Sequence, residues 1–222
     1  MRSYFVTATG TDIGKTYVST QLISAWRAQG FVTQATKPVM SGFAEDALEH
    51  SDAGRLLTAL GRDVTPASVS EICLHRLAPP LAPNVAMRLA GVKQDYAEIL
   101  RFVEARLKRD ADCHLVEGAG GVMSPLTDEK LQIDLMADLQ LPIILITAPY
   151  LGSISHTLTS LDALKTRGLS VSAIAISQPS VHGSDLTSFS DELNRFRDLP
   201  VFEVPYGNDA AALGSALCLR NL

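Results

Sequence analysis

Tyr4-Phe5-Val6-Thr7-Ala8-Thr9-Gly10-Thr11-Asp12-Ile13-Gly14-Lys15-Thr16 is the stretch on which the fold turns. It opens with aromatic and β-branched residues, passes through small polar ones and closes on Gly-Lys-Thr. Beyond it Val18, Leu22, Ala25 and Trp26 recur at helical spacing. Strand, loop and helix in that order are the setting of a phosphate-binding loop. In such a loop successive backbone N–H groups turn inward, and the helix N-terminus adds partial positive charge. Lys15 would then face the β- and γ-phosphates of a nucleotide, and the Thr16 hydroxyl would ligate Mg²⁺. Gly14 would let phosphate approach the backbone where a side chain would obstruct it. One position departs from the usual pattern: glycine is expected five residues before Gly14, and Thr9 stands there. The competing reading is an ordinary strand–helix turn that contains Gly-Lys by chance. Placement between a first strand and an amphipathic helix favours the nucleotide site.

A chain of 222 residues can bury a sizeable core. Hydrophobic content of 46% against 19% charged is that of a globular protein rather than a disordered one. The formal net charge of −5 argues against nucleic acid or an anionic membrane as the main partner. Cys73, Cys113 and Cys218 are scattered and lack metal-ligand spacing, so they read as reduced, buried thiols suited to the cytoplasm. The chain runs straight into a strand without a signal-peptide layout, and its longest apolar run, Leu141 to Ala148, is too short to cross a bilayer.

After the first helix, Gly30 suits a C-cap, and Val32 to Lys37 reads as a strand that Pro38 ends. Val39 to Gly42 reads as a loop, and His50-Ser51-Asp52-Ala53 opens a helix carrying Leu56, Leu57 and Leu60. Residues 62 to 92 hold four scattered prolines (66, 79, 80 and 83) and no sustained period. They read as irregular, with one short strand at Glu71 to His75. Lys93 to Arg109 has one apolar stripe, as an amphipathic helix does. Strands follow at Cys113–Glu117, Pro142–Thr147, Val171–Ser177 and Val201–Val204, with helices at Leu131–Leu139, Ser153–Arg167, Leu186–Arg197 and Leu213–Leu219. The unbroken Ile-Ile-Leu-Ile of residues 143 to 146 is how a strand buried on both faces of a parallel sheet reads. The alternation predicts an α/β fold: one doubly wound domain over residues 1–222, its mainly parallel sheet covered by helices on both faces.

Ligands of such sheets sit at the strand C-terminal ends. Beside the phosphate loop, three other ends carry polar chemistry. Lys37, with Ser41 nearby, is either a solvated lysine at a loop start or a charge for the phosphates. Glu117 closes an apolar strand before Gly118-Ala119-Gly120-Gly121, where an acid serves as a metal ligand or orients water, or merely faces solvent. Gly152-Ser153 begins a helix, as a plain cap or as a seat for an anionic group. Asp52 reads by default as a capping residue. His50, His75, His114, His156 and His182 read as structural or surface residues, and no protein nucleophile is evident.

Taken together these segments resemble the dethiobiotin synthetase family over almost the full length. The resemblance is carried by Tyr4 to Thr7, Gly14-Lys15-Thr16, Lys37-Pro38-Val39 with Ser41-Gly42, Ser51-Asp52-Ala53, Val116 to Gly121, Leu151-Gly152 and Pro205-Tyr206. It implies a P-loop ATPase fold and a cytoplasmic homodimeric ligase that joins 7,8-diaminopelargonate and CO₂ (or bicarbonate) at the expense of ATP. The products are dethiobiotin, ADP and phosphate. An amine becomes a carbamate, ATP phosphorylates it, and the second amine closes the ureido ring. The resemblance implies catalytic roles for Lys37, Lys15 and Thr11, and Mg²⁺ held by Thr16, Asp52 and Glu117. It implies nucleotide contacts at Asp12, Ile13, Gly14, Lys15, Thr16, Tyr17, Glu117, Gly120, Ser177, Gln178, Pro205, Tyr206 and Gly207. Ser41 would contact substrate, and backbone at Leu151, Gly152 and Ser153 would receive its carboxylate.

This chain departs from the family pattern at the shifted loop glycine (Gly10) and at Asp12, an acid with a shorter reach than usual. Ser177-Gln178 stands where an asparagine reads the base, and Phe189 where some members have a tyrosine. Two other readings share the loop. One is a sister ligase or amidotransferase synthetase acting on another carboxylate, which has less reason to carry Lys37-Pro38 with Ser41. The other is a dimeric switch ATPase, which would usually place a second lysine where Gly10 stands.

Overall fold

The computed structural model describes residues 2–178, 185–207 and 210–219. His182 and residues 220–222 lie outside them. The chain opens with β1 (Arg2–Ala8) and, after the glycine-containing turn, α1 (Lys15–Ala28). Then come β2 (Thr33–Thr36), β3 (Val39–Ser41), a 3₁₀ stretch at Glu45–His50, α2 (Asp52–Ala59), α3 (Pro66–Ile72), β4 (His75–Leu77), α4 (Pro83–Leu89) and α5 (Tyr96–Leu107). The second half alternates: β5 (Cys113–Glu117), α6 (Gln132–Leu139), β6 (Ile143–Thr147), α7 (Ser153–Thr166), β7 (Val171–Ser177), α8 (Leu186–Phe196), β8 (Val201–Val204) and α9 (Ala211–Leu219).

Six strands form one sheet in the order β2-β5-β1-β6-β7-β8, and every pairing is parallel. Strand alternation sorts the core into two layers. Tyr4, Val6 and Ala8 of β1 and Ile144 and Ile146 of β6 face α1 and α9, where Leu22, Trp26, Leu213 and Leu217 lie. Phe5, Ile143 and Leu145 face the opposite way, toward Ile99, Val103, Met136, Leu161 and Leu193 of α5 to α8. Each fully buried side chain of this size contributes roughly 1.5–3 kcal/mol. Among the described residues no helix is long and apolar enough to cross a membrane.

Residues 62 to 92 are more regular than the sequence suggests. Pro66 and Pro83 do not break helices here; each sits in the first turn of one, where the missing N–H costs nothing. Thr65 and Ser68 cap α3 reciprocally. Because Glu71 and Ile72 complete that helix, the strand expected at Glu71 to His75 starts only at His75. It pairs in parallel with β3, a segment that reads as a loop in the sequence, to make a second, two-stranded sheet. Lys37 N–H donates to Ile72 O at 2.8 Å. This segment therefore fixes the stretch from Lys37 to Ser41.

His114 on β5 is buried, with Nε2 2.9 Å from Thr36 Oγ1 on β2 and, among the described residues, no hydrogen-bond partner for Nδ1. Burial, and then the charge of Arg109, push its pKa down to about 4. A depressed folded-state pKa means that the unfolded chain, with an imidazole near its ordinary value, binds more protons. His114 therefore contributes stability that is fully present above about pH 6.5 and lost as pH falls through about 4, by up to roughly 3 kcal/mol. Urea unfolding at intervals from pH 7.5 to 4.5 should show this loss, and His114→Gln should flatten it. An equal slope in the variant would assign the acid sensitivity to other groups.

Candidate active site

The C-terminal ends of β2, β5 and β1 lie side by side, because Thr36 pairs with Val116 and Val6 with Glu117. The phosphate loop leaves β1, Lys37 follows β2, and Glu117 ends β5. A cavity of about 350 Å³ opens there. Thr11, Asp12, Gly14, Lys15, Thr16, Tyr17, Lys37, Ser41, Asp52 and Gly120 line it, together with Met40, Arg55 and Ala119.

The loop has the backbone of an anion cradle. Asp12 (φ 57°) and Gly14 (φ 93°) are left-handed, alternating with their neighbours. At Gly14 the glycine relieves the cost of that conformation. Gly14 starts α1 without a side-chain cap, so the helix N–H groups stay available to an anion. Gly121 packs against the loop: a Cβ there would lie 3.1 Å from Gly10 Cα and 3.2 Å from Ala8 O. Lys15, largely buried, donates to Gly10 O at 3.1 Å. Burial, and then the neighbouring Lys37 charge, lower its pKa to about 8.

Lys37 is 2% exposed, which excludes the reading of a solvated lysine. Its Nζ donates to Glu117 Oε1 at 2.7 Å and to Gly118 O at 3.0 Å, and lies 2.9 Å from Asp52 Oδ2. Burial works against its charge, but Glu117 and Asp52 outweigh burial and hold its pKa above the ordinary lysine value. Lys37 in turn, against burial, lowers Asp52 to about 2. Asp52 is not the cap of α2; the Ser51 side chain accepts from Gly54 N–H, leaving the carboxylate free to face the cavity.

The Thr16 hydroxyl lies 2.9 Å from Asp52 Oδ1 and 2.8 Å from Glu117 Oε1, and its single proton serves only one of them at a time. Glu117 is fully buried, and its Oε2 has no hydrogen-bond partner among the described residues. Hard oxygens therefore converge with acceptor capacity left over, which fits a divalent cation. Among the described residues no group of three or more His, Cys, Asp or Glu side chains is placed to hold a metal ion. Two carboxylates and a hydroxyl are the sparse set Mg²⁺ takes when phosphate oxygens complete its shell.

The remaining predicted contacts, Tyr17 apart, lie outside this cavity. Ile13 packs on the core beside Tyr17. The Tyr17 hydroxyl donates to Pro205 O at 2.8 Å and accepts from Gly207 N–H at 3.1 Å, so it ties the loop after β8 to α1. Tyr206 between them is exposed. Ser177 ends β7 with its hydroxyl buried and unpartnered among the described residues, while Gln178 N–H donates to Val204 O. Leu151 is fully exposed; Gly152 caps α7, and the Ser153 hydroxyl bonds the Tyr150 backbone. A second cavity of about 520 Å³ shares Thr11 with the first and is lined by Met123, Ser124, His156 and Thr159 among others. The sequence reading missed Arg55, Met40 and His156. Arg55, three residues after Asp52 on the same helix, is the one whose spacing could have revealed it.

A family profile described as an AAA domain matches residues 2–210. A relative from Phenylobacterium zucineum, "ATP-dependent dethiobiotin synthetase BioD", is 45% identical over 99% of this chain and 97% of its own. One of the same name from Caulobacter sp. is 43% identical over 98% of this chain and 94% of its own. Among solved structures, the septum site-determining protein MinD of Pyrococcus horikoshii superposes with a TM-score of 0.53 over 97% of this chain and 93% of its own. At 17% identity that likeness shows a shared P-loop NTPase fold and no more. Sequence identity thus separates the synthetases, at 43–45%, from this structural neighbour, at 17%. The chain belongs to the ATP-dependent dethiobiotin synthetase family.

Proposed function

We propose that this protein is an ATP-dependent cyclo-ligase that converts 7,8-diaminopelargonate, CO₂ and ATP to dethiobiotin, ADP and phosphate. The observation that carries the reading is the buried Lys37 ammonium, bracketed by Asp52 and Glu117 at the edge of the phosphate loop. One amine of the substrate adds to CO₂ and sheds a proton, giving a carbamate. A carbamate oxygen attacks the γ-phosphorus and ADP departs. The second amine then attacks the carbamoyl carbon and expels phosphate, closing the cyclic urea.

This path asks for charge and position rather than a protein nucleophile. A carbamate and a triphosphate repel each other, and cations fixed in a dry site offset that repulsion as charge moves. Lys37 keeps its proton, so it acts as a fixed charge and hydrogen-bond donor rather than a base. Lys15 would hold the phosphates and Ser41 the reacting end of the substrate. Thr11, on the wall between the two cavities, would contact the carbamate. Thr16, Asp52 and Glu117 would hold Mg²⁺, which when bound neutralises phosphate charge. The base would lie near Ser177, Gln178 and the loop Pro205–Gly207. The reading includes the cytoplasm, which the three free cysteines suit. It also includes a homodimer, which the exposed side chains of Met123, Tyr150 and Leu151 support.

Phosphate release with Mg-ATP and bicarbonate should depend on 7,8-diaminopelargonate and yield dethiobiotin by mass. Comparing ATP with CTP and GTP then reads the base preference of the Ser177-Gln178 variation. Phosphate release indifferent to the diamine would overturn the assignment.

A further inference from the structure

Arg55 lines the 350 Å³ cavity with Lys15, Thr16, Lys37 and Asp52, yet the reaction as described gives it no role. It follows Asp52 by three residues on α2, so both side chains lie on one face of that helix. The residue is exposed, and no ion pair of its guanidinium occurs among the described residues. The charge of the site makes that free cation consequential. Lys37 is already bracketed by Asp52 and Glu117. Counting Asp12 and Lys15 as well, the five groups carry one net negative charge, an unfavourable reception for a metal-bound triphosphate that is itself anionic. Arg55 brings the sum to zero.

We propose that Arg55 is a phosphate-binding residue, its guanidinium closing over the cavity mouth to donate to the phosphate chain of the bound nucleotide. The assignment rests on reading this cavity as the nucleotide site. A guanidinium suits the task because its planar fork engages two phosphate oxygens at once. Arg55 also borders a neighbouring groove of about 710 Å³ with Thr20, Arg27 and His50, so open space adjoins its side chain on both the groove and the cavity side.

Calorimetric titration of the parent, Arg55→Ala and Arg55→Lys with Mg-ADP and with a non-hydrolysable Mg-ATP analogue tests this. Arg55→Ala should weaken both by about tenfold. It should also lower the dependence of affinity on salt, and leave the melting temperature of the nucleotide-free protein unchanged. Arg55→Lys should recover part of the affinity, since it restores charge without the fork. Affinity in Arg55→Ala within threefold of the parent overturns the assignment. So does a loss matched by a lower nucleotide-free melting temperature, which would make Arg55 a structural residue. A parent that binds neither nucleotide overturns it as well, by sinking the reading of the cavity itself.

Discussion

Lys37→Met should cost about 3–5 kcal/mol of folding stability and lower turnover by on the order of 10³. Both effects come from one geometry. The ammonium is the counter-charge for two carboxylates, one of them fully buried, and it donates to Gly118 O besides. Methionine replaces the aliphatic stem but not the ammonium, and leaves Glu117 as a buried anion without its bonded cation. A second substitution separates the two losses. Lys37→Met/Glu117→Gln removes the uncompensated charge, so urea unfolding should show most of the stability restored, while turnover stays at the floor. If the single variant is as stable as the parent, the charges are not coupled as the distances imply. If it turns over within tenfold of the parent, Lys37 does not meet the reacting groups.

Glu117→Gln addresses the proposed metal site rather than the lysine. The amide oxygen can still accept from Lys37 or Thr16, and Lys37 retains Asp52, so stability should change by no more than about 1 kcal/mol. The formal charge and the second, unpartnered carboxylate oxygen are lost. Turnover should fall by about 10²–10³, and the Mg²⁺ concentration for half-maximal rate should rise about tenfold or more. Steady-state rates across a Mg²⁺ titration, with thermal melts alongside, check both. Unchanged Mg²⁺ demand would reduce Glu117 to a counter-ion for Lys37. The contrast with Lys37→Met is the informative part: one variant should lose stability and activity together, the other activity alone.

The sheet order bears directly on these predictions. Lys37 and Glu117 are 80 residues apart and meet because β2 and β5 are neighbours. Asp52 joins them because Ser51 takes the capping duty, freeing the acid one residue on. Neither meeting is visible in local spacing.

Much of the rest was legible without coordinates. The strand–loop–helix around Gly14-Lys15-Thr16, the alternation of β and α segments and the acid at the end of β5 are short-range patterns. Hydrophobic period and turn chemistry act within a few residues of themselves, so most element boundaries fall within three residues of where the pattern puts them. Residues 62 to 92 are less legible because they carry scattered prolines and no sustained period, and proline at Pro66 and Pro83 starts helices rather than ending them. Strand β3 was missed because three residues carry no period of their own and need a partner that lies beyond α3.

The sequence by itself determined the fold class, the phosphate loop and the family, since each is written in contiguous residues. Only the tertiary structure decided that Lys37 is a buried cation rather than a solvated one, that Asp52 faces the cavity rather than capping a helix, and that Arg55 stands at its rim. Burial and charge balance are properties of what surrounds a residue. In a parallel sheet those surroundings arrive from strands far away in the chain.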